Sequence, residues 1–300
     1  MLMVRYFVID AVFTKHDLEL SVGTLPFLLM MISTLATAAA GYVLNDYYDI
    51  GIDQINCPGR IVLGKSISLK TGYHIAWGLL LIGMLAGLAM TLLISRPWSF
   101  LIYLFAGVLT WRYAVKLKRM YLWGNLTVSF LTALTIALPL IFEIVTFSKQ
   151  PDFEKVYNAL VTSGIVVGAF AMFAGLLNFT REIIKDIEDM EGDKAFGCRT
   201  IPLVNGQDKA VYFSGILGIL ILVLLLLCNY ALMHSTLRFT GYYLISIIAL
   251  MLYFLFRLIR SRHASDFHFL STLLKIIMIT GILSMFAWYF EYSNTSWIIN

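Results

Sequence analysis

The sequence predicts an all-α, polytopic membrane helical bundle, and three observations predict it. Hydrophobic residues make up 60% of the chain and charged residues only 13%, against about 25% charged in soluble domains, and the mean hydropathy is +0.82. Apolar runs long enough to span the roughly 30 Å of bilayer hydrocarbon recur from one end to the other. The basic residues gather at alternate ends of those runs, as they do in a chain that threads a membrane repeatedly.

Taken in order, residues 24–44, 72–94, 98–115, 122–143, 158–180, 210–233, 239–259 and 271–291 predict eight full spans. Residues 1–13 (MLMVRYFVIDAVF) are apolar but too short to cross alone, and they lack the longer core and small-residue cleavage site of a secretory signal. They read as the stub of a ninth helix, shortened in nature or cut by a misplaced start. No Pro/Gly/Ser linker or change of composition divides the chain, so residues 1–300 read as one membrane domain. Gly83 with Gly87, and Gly164 with Gly168, have the spacing of closely packed helices. Trp98, Trp111, Trp123 and Trp297 fall near predicted interfaces, where aromatic belts lie.

Net charge is +4, unevenly placed. Alternating the loops puts Arg60, Lys65, Lys70, Lys116, Lys118, Arg119, Arg181, Lys185, Lys194, Arg199, Lys209, Arg257, Arg260 and Arg262 on one side. The other side has little beyond Arg96, Lys149, Lys155 and Arg238, so the first side is predicted to be cytoplasmic. These basic residues are interleaved with acids and tied to helix ends, which argues against a nucleic-acid partner. Cys57, Cys198 and Cys228 form no C-x-x-C pair, and the five histidines show no metal-ligand spacing,.

One spacing occurs twice. Asp46, Asp49 and Asp53 lie in NDYYDIGID, and Asp186, Asp189 and Asp193 lie in DIEDMEGD; both read D-x-x-D-x-x-x-D. On a helix, positions i, i+3 and i+7 share a face, so each triplet aims its carboxylates one way. Each triplet follows an apolar run on the predicted cytoplasmic side and is trailed by a polar loop with a Gly and an Arg (Arg60, Arg199). The echo suggests an internal repeat that faces two acid clusters across a shared cavity, by analogy with transporter repeats. Carboxylates without His or Cys select hard cations, and Mg²⁺ typically binds through one or two carboxylates together with substrate phosphates. The phosphate belongs to something membrane-soluble. An isoprenyl diphosphate fits, with a charged head for the acids and an apolar tail for the helices.

NDYYDIGID resembles the N-D-x-x-D-x-x-x-D signature of the UbiA superfamily of intramembrane prenyltransferases, and DMEGD resembles its second, D-x-x-x-D motif. The likeness runs through YAVKLKRMYLWGN and the RTIP block, covering about residues 35–205. The chain looks most like the branch that makes digeranylgeranylglyceryl phosphate. Two departures stand out: Arg60 leads into Ile-Val-Leu-Gly where many members read R-P-[IL]-x-x-G, and the first helix is mostly missing.

The resemblance implies eight to nine helices around a central cavity, with both motifs at its cytoplasmic end. It implies Mg²⁺ held by Asp46, Asp49, Asp53, Asp186, Asp189 and Asp193. Asn45, Arg60, Lys118, Lys185, Arg181 and Arg199 are the implied diphosphate contacts. Asp46, Asp49 and Asp189 are the catalytic candidates, and an Asp not committed to metal is a candidate base. The expected activity is transfer of a polyprenyl group to a lipophilic acceptor, first geranylgeranylglyceryl phosphate and second an aromatic ring of the hydroxybenzoate or naphthoate type. A cation-coupled carrier is the rival class, but its acids would sit near the midplane.

Overall fold

The apolar runs fold as helices because a helix satisfies its own backbone groups, which hydrocarbon cannot do. The computed structural model describes residues 1–56, 58–59, 61–147 and 153–294. In chain order the helices are α1 (Asp10–Lys15, after a π-helical Val4–Ile9), α2 (Thr24–Asn56), α3 (Leu69–Leu93) and α4 (Phe100–Val115). Then come α5 (Trp123–Phe147), α6 (Phe153–Glu188), α7 (Met190–Ala195) and α8 (Ile201–Asn205). The last three are α9 (Gln207–Met233), α10 (Arg238–Arg260) and α11 (Ala264–Asn294). Among the described residues eight helices are long and apolar enough to cross a membrane, and they overlap the eight predicted runs. The protein is an all-α, multi-pass integral membrane protein. Among the described residues the β-structure is confined to one isolated bridge, Leu63 to Ile67. Cys57, Arg60, Lys149 and Trp297 lie outside the described residues.

The chain forms two compact units. One comprises Val22–Leu131 and Asp189–Gln207 and carries both acid segments except Asp186. Its helices α2 and α3 approach closely because Gly83 and Gly87 present no side chain. A Cβ on Gly83 would lie 2.7 Å from Thr37 Oγ1 and 3.1 Å from the Ser33 carbonyl. Ser33 Oγ donates instead to the Gly83 carbonyl at 2.7 Å. Nearer the acids, alanines keep α2, α3 and α4 close: Ala40, Leu44, Ala76, Leu80 and Ala114 form one buried cluster. Ser68 caps α3 by accepting the Thr71 N–H at 3.1 Å,.

The other unit comprises Met1–Ser21, Thr132–Glu188 and Asp208–Asn300. Its N-terminal segment is built into the core: Val4, Val8, Ile9, Val12 and Phe13 are fully buried, packed with Ile136, Leu140, Val167, Met285 and Trp288. A buried ion pair fastens it, with Arg5 Nη1 3.6 Å from Glu143 Oε1. Glu143 Oε2 also accepts the Ser21 N–H at 2.8 Å. Glu291 on α11 caps α10 by accepting the N–H groups of Phe239 and Thr240 at 2.8 and 2.9 Å,. The expected close packing at Gly164 and Gly168 is not found: among the described residues, nothing lies within 4 Å of where either Cβ would be.

Candidate active site

The first acid triplet sits where an apolar helix runs on past its apolar part. Leu44 is the last fully buried aliphatic on α2, and the helix continues through Asn45, Asp46, Asp49 and Asp53 to Asn56. Asp46, Asp49 and Asp53 therefore share one helical face as the spacing predicts. The second triplet does not. α6 ends at Glu188, Asp189 sits in the break at φ −93°, and Asp193 belongs to the short α7. The break follows from what Asp189 and Gly192 touch on α2.

Asn56 joins the two segments. Its Nδ2 donates to the Asp189 carbonyl at 3.1 Å, and its Oδ1 accepts the Gly192 N–H at 2.8 Å. Only glycine fits opposite it, because a Cβ on residue 192 would lie 2.6 Å from the Asn56 amide. One turn earlier on α2, the space left by Gly51 takes the ring of Phe196. Gly197, at φ +66°, then turns the chain out of α7,.

A cationic turn, Leu117–Arg119, lies against the same stretch of α2. Lys118 Nζ is 2.6 Å from Asp49 Oδ2, and it donates to Asn45 Oδ1 at 3.3 Å and to the Asn45 carbonyl at 3.5 Å. Arg119 Nη2 donates to the Tyr48 carbonyl at 2.8 Å and stands 3.9 Å from Asp49 Oδ1. The turn is held from behind by Gly124, where a Cβ would lie 2.7 Å from Lys118 Cα. It is held from the side by the Arg199 N–H, which donates to the Arg119 carbonyl at 2.9 Å. Buried Cys198 donates its backbone N–H to the Asp193 carbonyl at 3.0 Å. Burial, then the charge of Asp193, pushes the Cys198 thiol up to about 11.

The structure thus assembles Asn45, Asp49 and Lys118, and ties the segment of Asp189, Asp193 and Arg199 to them. Asp46 is exposed and Asp53 half-buried on the same helix. Arg181, Lys185 and Asp186 lie on α6, in the other unit; Arg181 pairs there with Glu182, and Lys185 is exposed. Asn56 and Arg119 were not among the sequence-derived site residues. Asn56 carried a signal, three residues beyond Asp53 on the acid helix, and Arg119 adjoins Lys118.

The donor set suits a hard divalent cation, being all oxygen. Asp49 Oδ1 is buried and, among the described residues, accepts no hydrogen bond, with the Arg119 guanidinium 3.9 Å away. Among the described residues no three His, Cys, Asp or Glu side chains form a ready-made metal cage. Mg²⁺ does not require one, since it is commonly held by one or two carboxylates plus substrate phosphates.

Residues 15–288 match the family model of the UbiA prenyltransferase family. The chain belongs to that family and is a membrane-embedded prenyltransferase. It is similar to the digeranylgeranylglyceryl phosphate synthase of Methanobrevibacter smithii, 32% identical over 263 residues, covering 87% of this chain and 85% of the relative. The Thermococcus kodakarensis enzyme of the same name is 30% identical over 267 residues, covering 89% and 85%. Among solved structures, one concerned with digeranylgeranylglyceryl phosphate synthase in membranes superposes with a TM-score of 0.60 at 24% identity, over 98% of this chain and 94% of that one. A UbiA homolog from Archaeoglobus fulgidus bound to GPP and Mg²⁺ superposes with a TM-score of 0.53 at 16% identity, over 95% and 96%. These superpositions support the fold.

Proposed function

We propose that the chain works as one transmembrane prenyltransferase domain. It transfers a polyprenyl group from an isoprenyl diphosphate to geranylgeranylglyceryl phosphate, with the acid-bearing helix ends facing the cytoplasm. The observation that carries the site assignment is the assembly of Asp49, Asn45 and Lys118, with the second acid segment fastened to it by Asn56. The acceptor assignment is supported by relatives of that name matched along most of their length. The cytoplasmic orientation is supported by the basic residues around both acid segments.

In this reading Asp46, Asp49, Asp53, Asp189 and Asp193 would hold Mg²⁺. Bound Mg²⁺ supplies charge neutralisation of the leaving group. Lys118 meets phosphate oxygens, joined by Arg199 and Arg60. The C1–O bond of the donor breaks and its electron pair leaves with the diphosphate. The acceptor hydroxyl oxygen bonds to C1 and its proton passes to a carboxylate of the motifs. The surrounding apolar helices exclude water from the reacting carbon.

The test uses purified protein in lipid with radiolabelled geranylgeranyl diphosphate, with and without Mg²⁺. The acceptors are geranylgeranylglyceryl phosphate, hydroxybenzoate and naphthoate. Mg²⁺-dependent transfer to the glyceryl phosphate is expected, and transfer to an aromatic acceptor alone would overturn the assignment. Asp49→Ala and Asp189→Ala should each abolish turnover at normal expression. Full activity in either would remove the acids from the chemistry.

A further inference from the structure

Within the unit built from Met1–Ser21, Thr132–Glu188 and Asp208–Asn300, helices α6, α9, α10 and α11 line a cavity of about 270 Å³ that is open on one side. Its wall is almost wholly apolar, with Phe173, Leu177, Cys228, Gly281 and Trp288 among the residues that line it. The two wall hydroxyls spend their hydrogens inside the protein. Thr240 Oγ1 donates to Glu291 at 3.0 Å, and Ser284 Oγ donates to the Gly281 carbonyl at 2.7 Å. Water needs two to four polar partners to settle in such a place, and this wall does not offer them. A cavity left empty would forfeit the dispersion contacts of every side chain around it.

Position along the helices narrows the occupant. On α6 the lining stops at Leu177, about 16 Å of helix short of Glu188 at 1.5 Å per residue. Glu188 is linked to His268 near the start of α11, where His268 Nδ1 lies 2.8 Å from Glu188 Oε1. On α9 the lining covers Leu225 to Leu232, just before the helix ends at Met233, and on α10 it covers Thr240 to Ile247, just after the start at Arg238. The cavity therefore lies toward the 233–238 turn, in the half of these four helices remote from the Glu188–His268 contact. Bilayer lipids of that leaflet carry their chains at that depth.

We propose that this cavity is a binding site for one hydrocarbon chain of a bilayer lipid from the leaflet on the side of the 233–238 turn. At roughly 30 Å³ per water, and a methylene of similar size, it takes a stretch of about nine carbons. The lipid replaces missing protein contacts between α6, α9, α10 and α11. Binding to the folded state alone also stabilises that state.

Trp288 is a built-in reporter, because it lines the cavity and is only 5% exposed. A variant with Trp77, Trp98, Trp111, Trp123 and Trp297 changed to Phe leaves Trp288 as its one tryptophan. In vesicles of phosphatidylcholine with dibrominated acyl chains, Trp288 emission should fall by at least half relative to unbrominated lipid. Gly281→Leu, which fills open space next to the Gly281 Cβ position, should restore the emission. Absence of quenching, or quenching that survives Gly281→Leu, overturns the proposal. Relief of quenching by geranylgeranyl diphosphate with Mg²⁺ would give the cavity to the donor's tail and overturn the lipid assignment. Wild-type protein needs no substitution for a second readout. Native mass spectrometry should find one added phosphatidylcholine retained after delipidation, and retention at the same level in Gly281→Leu also overturns the proposal.

Discussion

Removing the Asn56 side chain should disable the enzyme without unfolding it. Asn56→Ala takes away the Oδ1 acceptor of the Gly192 N–H, and Gly192 is buried. An orphaned buried donor costs about 1–3 kcal/mol. The Asp189 carbonyl loses less, because it also accepts the Asp193 N–H at 3.1 Å; about 1 kcal/mol is the ordinary net value of one hydrogen bond. Some 2–4 kcal/mol then falls on the segment that carries Asp189 and Asp193. At about 1.4 kcal/mol per tenfold, that corresponds to a loss of roughly 30- to 700-fold in kcat/KM.

The assay is Mg²⁺-dependent prenyl transfer in proteoliposomes, with thermal melting in detergent run in parallel. Gly192→Ala should give a similar loss, since its Cβ would displace the same Asn56 amide. The double variant should be little worse than either single one, because both break one interaction. Asn56→Asp keeps the acceptor for Gly192 but sets an oxygen against the Asp189 carbonyl and adds a negative charge beside five aspartates, so it should not rescue. Wild-type kcat/KM in Asn56→Ala would refute the clamp. So would additive losses in the double variant.

Lys118→Met should raise the KM for the prenyl diphosphate by about tenfold or more, a charged hydrogen bond being worth about 1.5–3 kcal/mol; an unchanged KM in steady-state kinetics would show that Lys118 only anchors the helix end. Glu143→Ala should lower stability by about 3–5 kcal/mol by leaving Arg5 buried without its carboxylate. Arg5→Met with Glu143→Met should recover most of that in thermal melting, and a double variant as unstable as Glu143→Ala would contradict the account. Mg²⁺ should bind weakly to the protein alone and tightly with a non-reacting prenyl diphosphate analogue, because Lys118 already engages Asp49 and no cage is preformed among the described residues. Isothermal titration decides this, and tight binding of Mg²⁺ alone would count against it.

The eight spans were legible because the bilayer imposes their length and apolarity directly on the sequence. Their ends were less so, since α2 and α6 run on through polar residues to Asn56 and Glu188, where helical geometry outlasts the hydrophobic signal. The face shared by Asp46, Asp49 and Asp53 was legible from spacing alone. The same spacing misled at Asp186, Asp189 and Asp193, because the break at Asp189 accompanies contacts to Asn56, more than a hundred residues away. Non-local hydrogen bonds of that kind leave no period to read. The glycine pairs divide for a related reason: Gly83 and Gly87 meet α2 and Tyr103, whereas Gly164 and Gly168 meet nothing within 4 Å among the described residues, although their spacing is identical. Residues 1–13 looked too short to matter as a span, and burial of Val4, Val8 and Phe13 shows that short length did not prevent a place in the core.

The charges explain why this site is assembled around a lysine. Several carboxylates on one helix end repel one another, and a permanent metal cage would have to gather them without substrate present. Here the pairing of Lys118 with Asp49 lowers that repulsion in the protein itself. Under the proposed function Asp49 would be a metal ligand and the Lys118 ammonium would meet a phosphate oxygen, so that neither charge would be left without a partner at partial burial. That exchange needs the lysine backbone to stay still while its head moves. Gly124 behind the turn and the Arg199 N–H beside it hold the backbone, and four flexible methylenes give the head its reach. Arginine at position 118 would keep the charge but replace a compact mobile ammonium with a rigid fork, which ties the choice of lysine to the exchange rather than to charge alone.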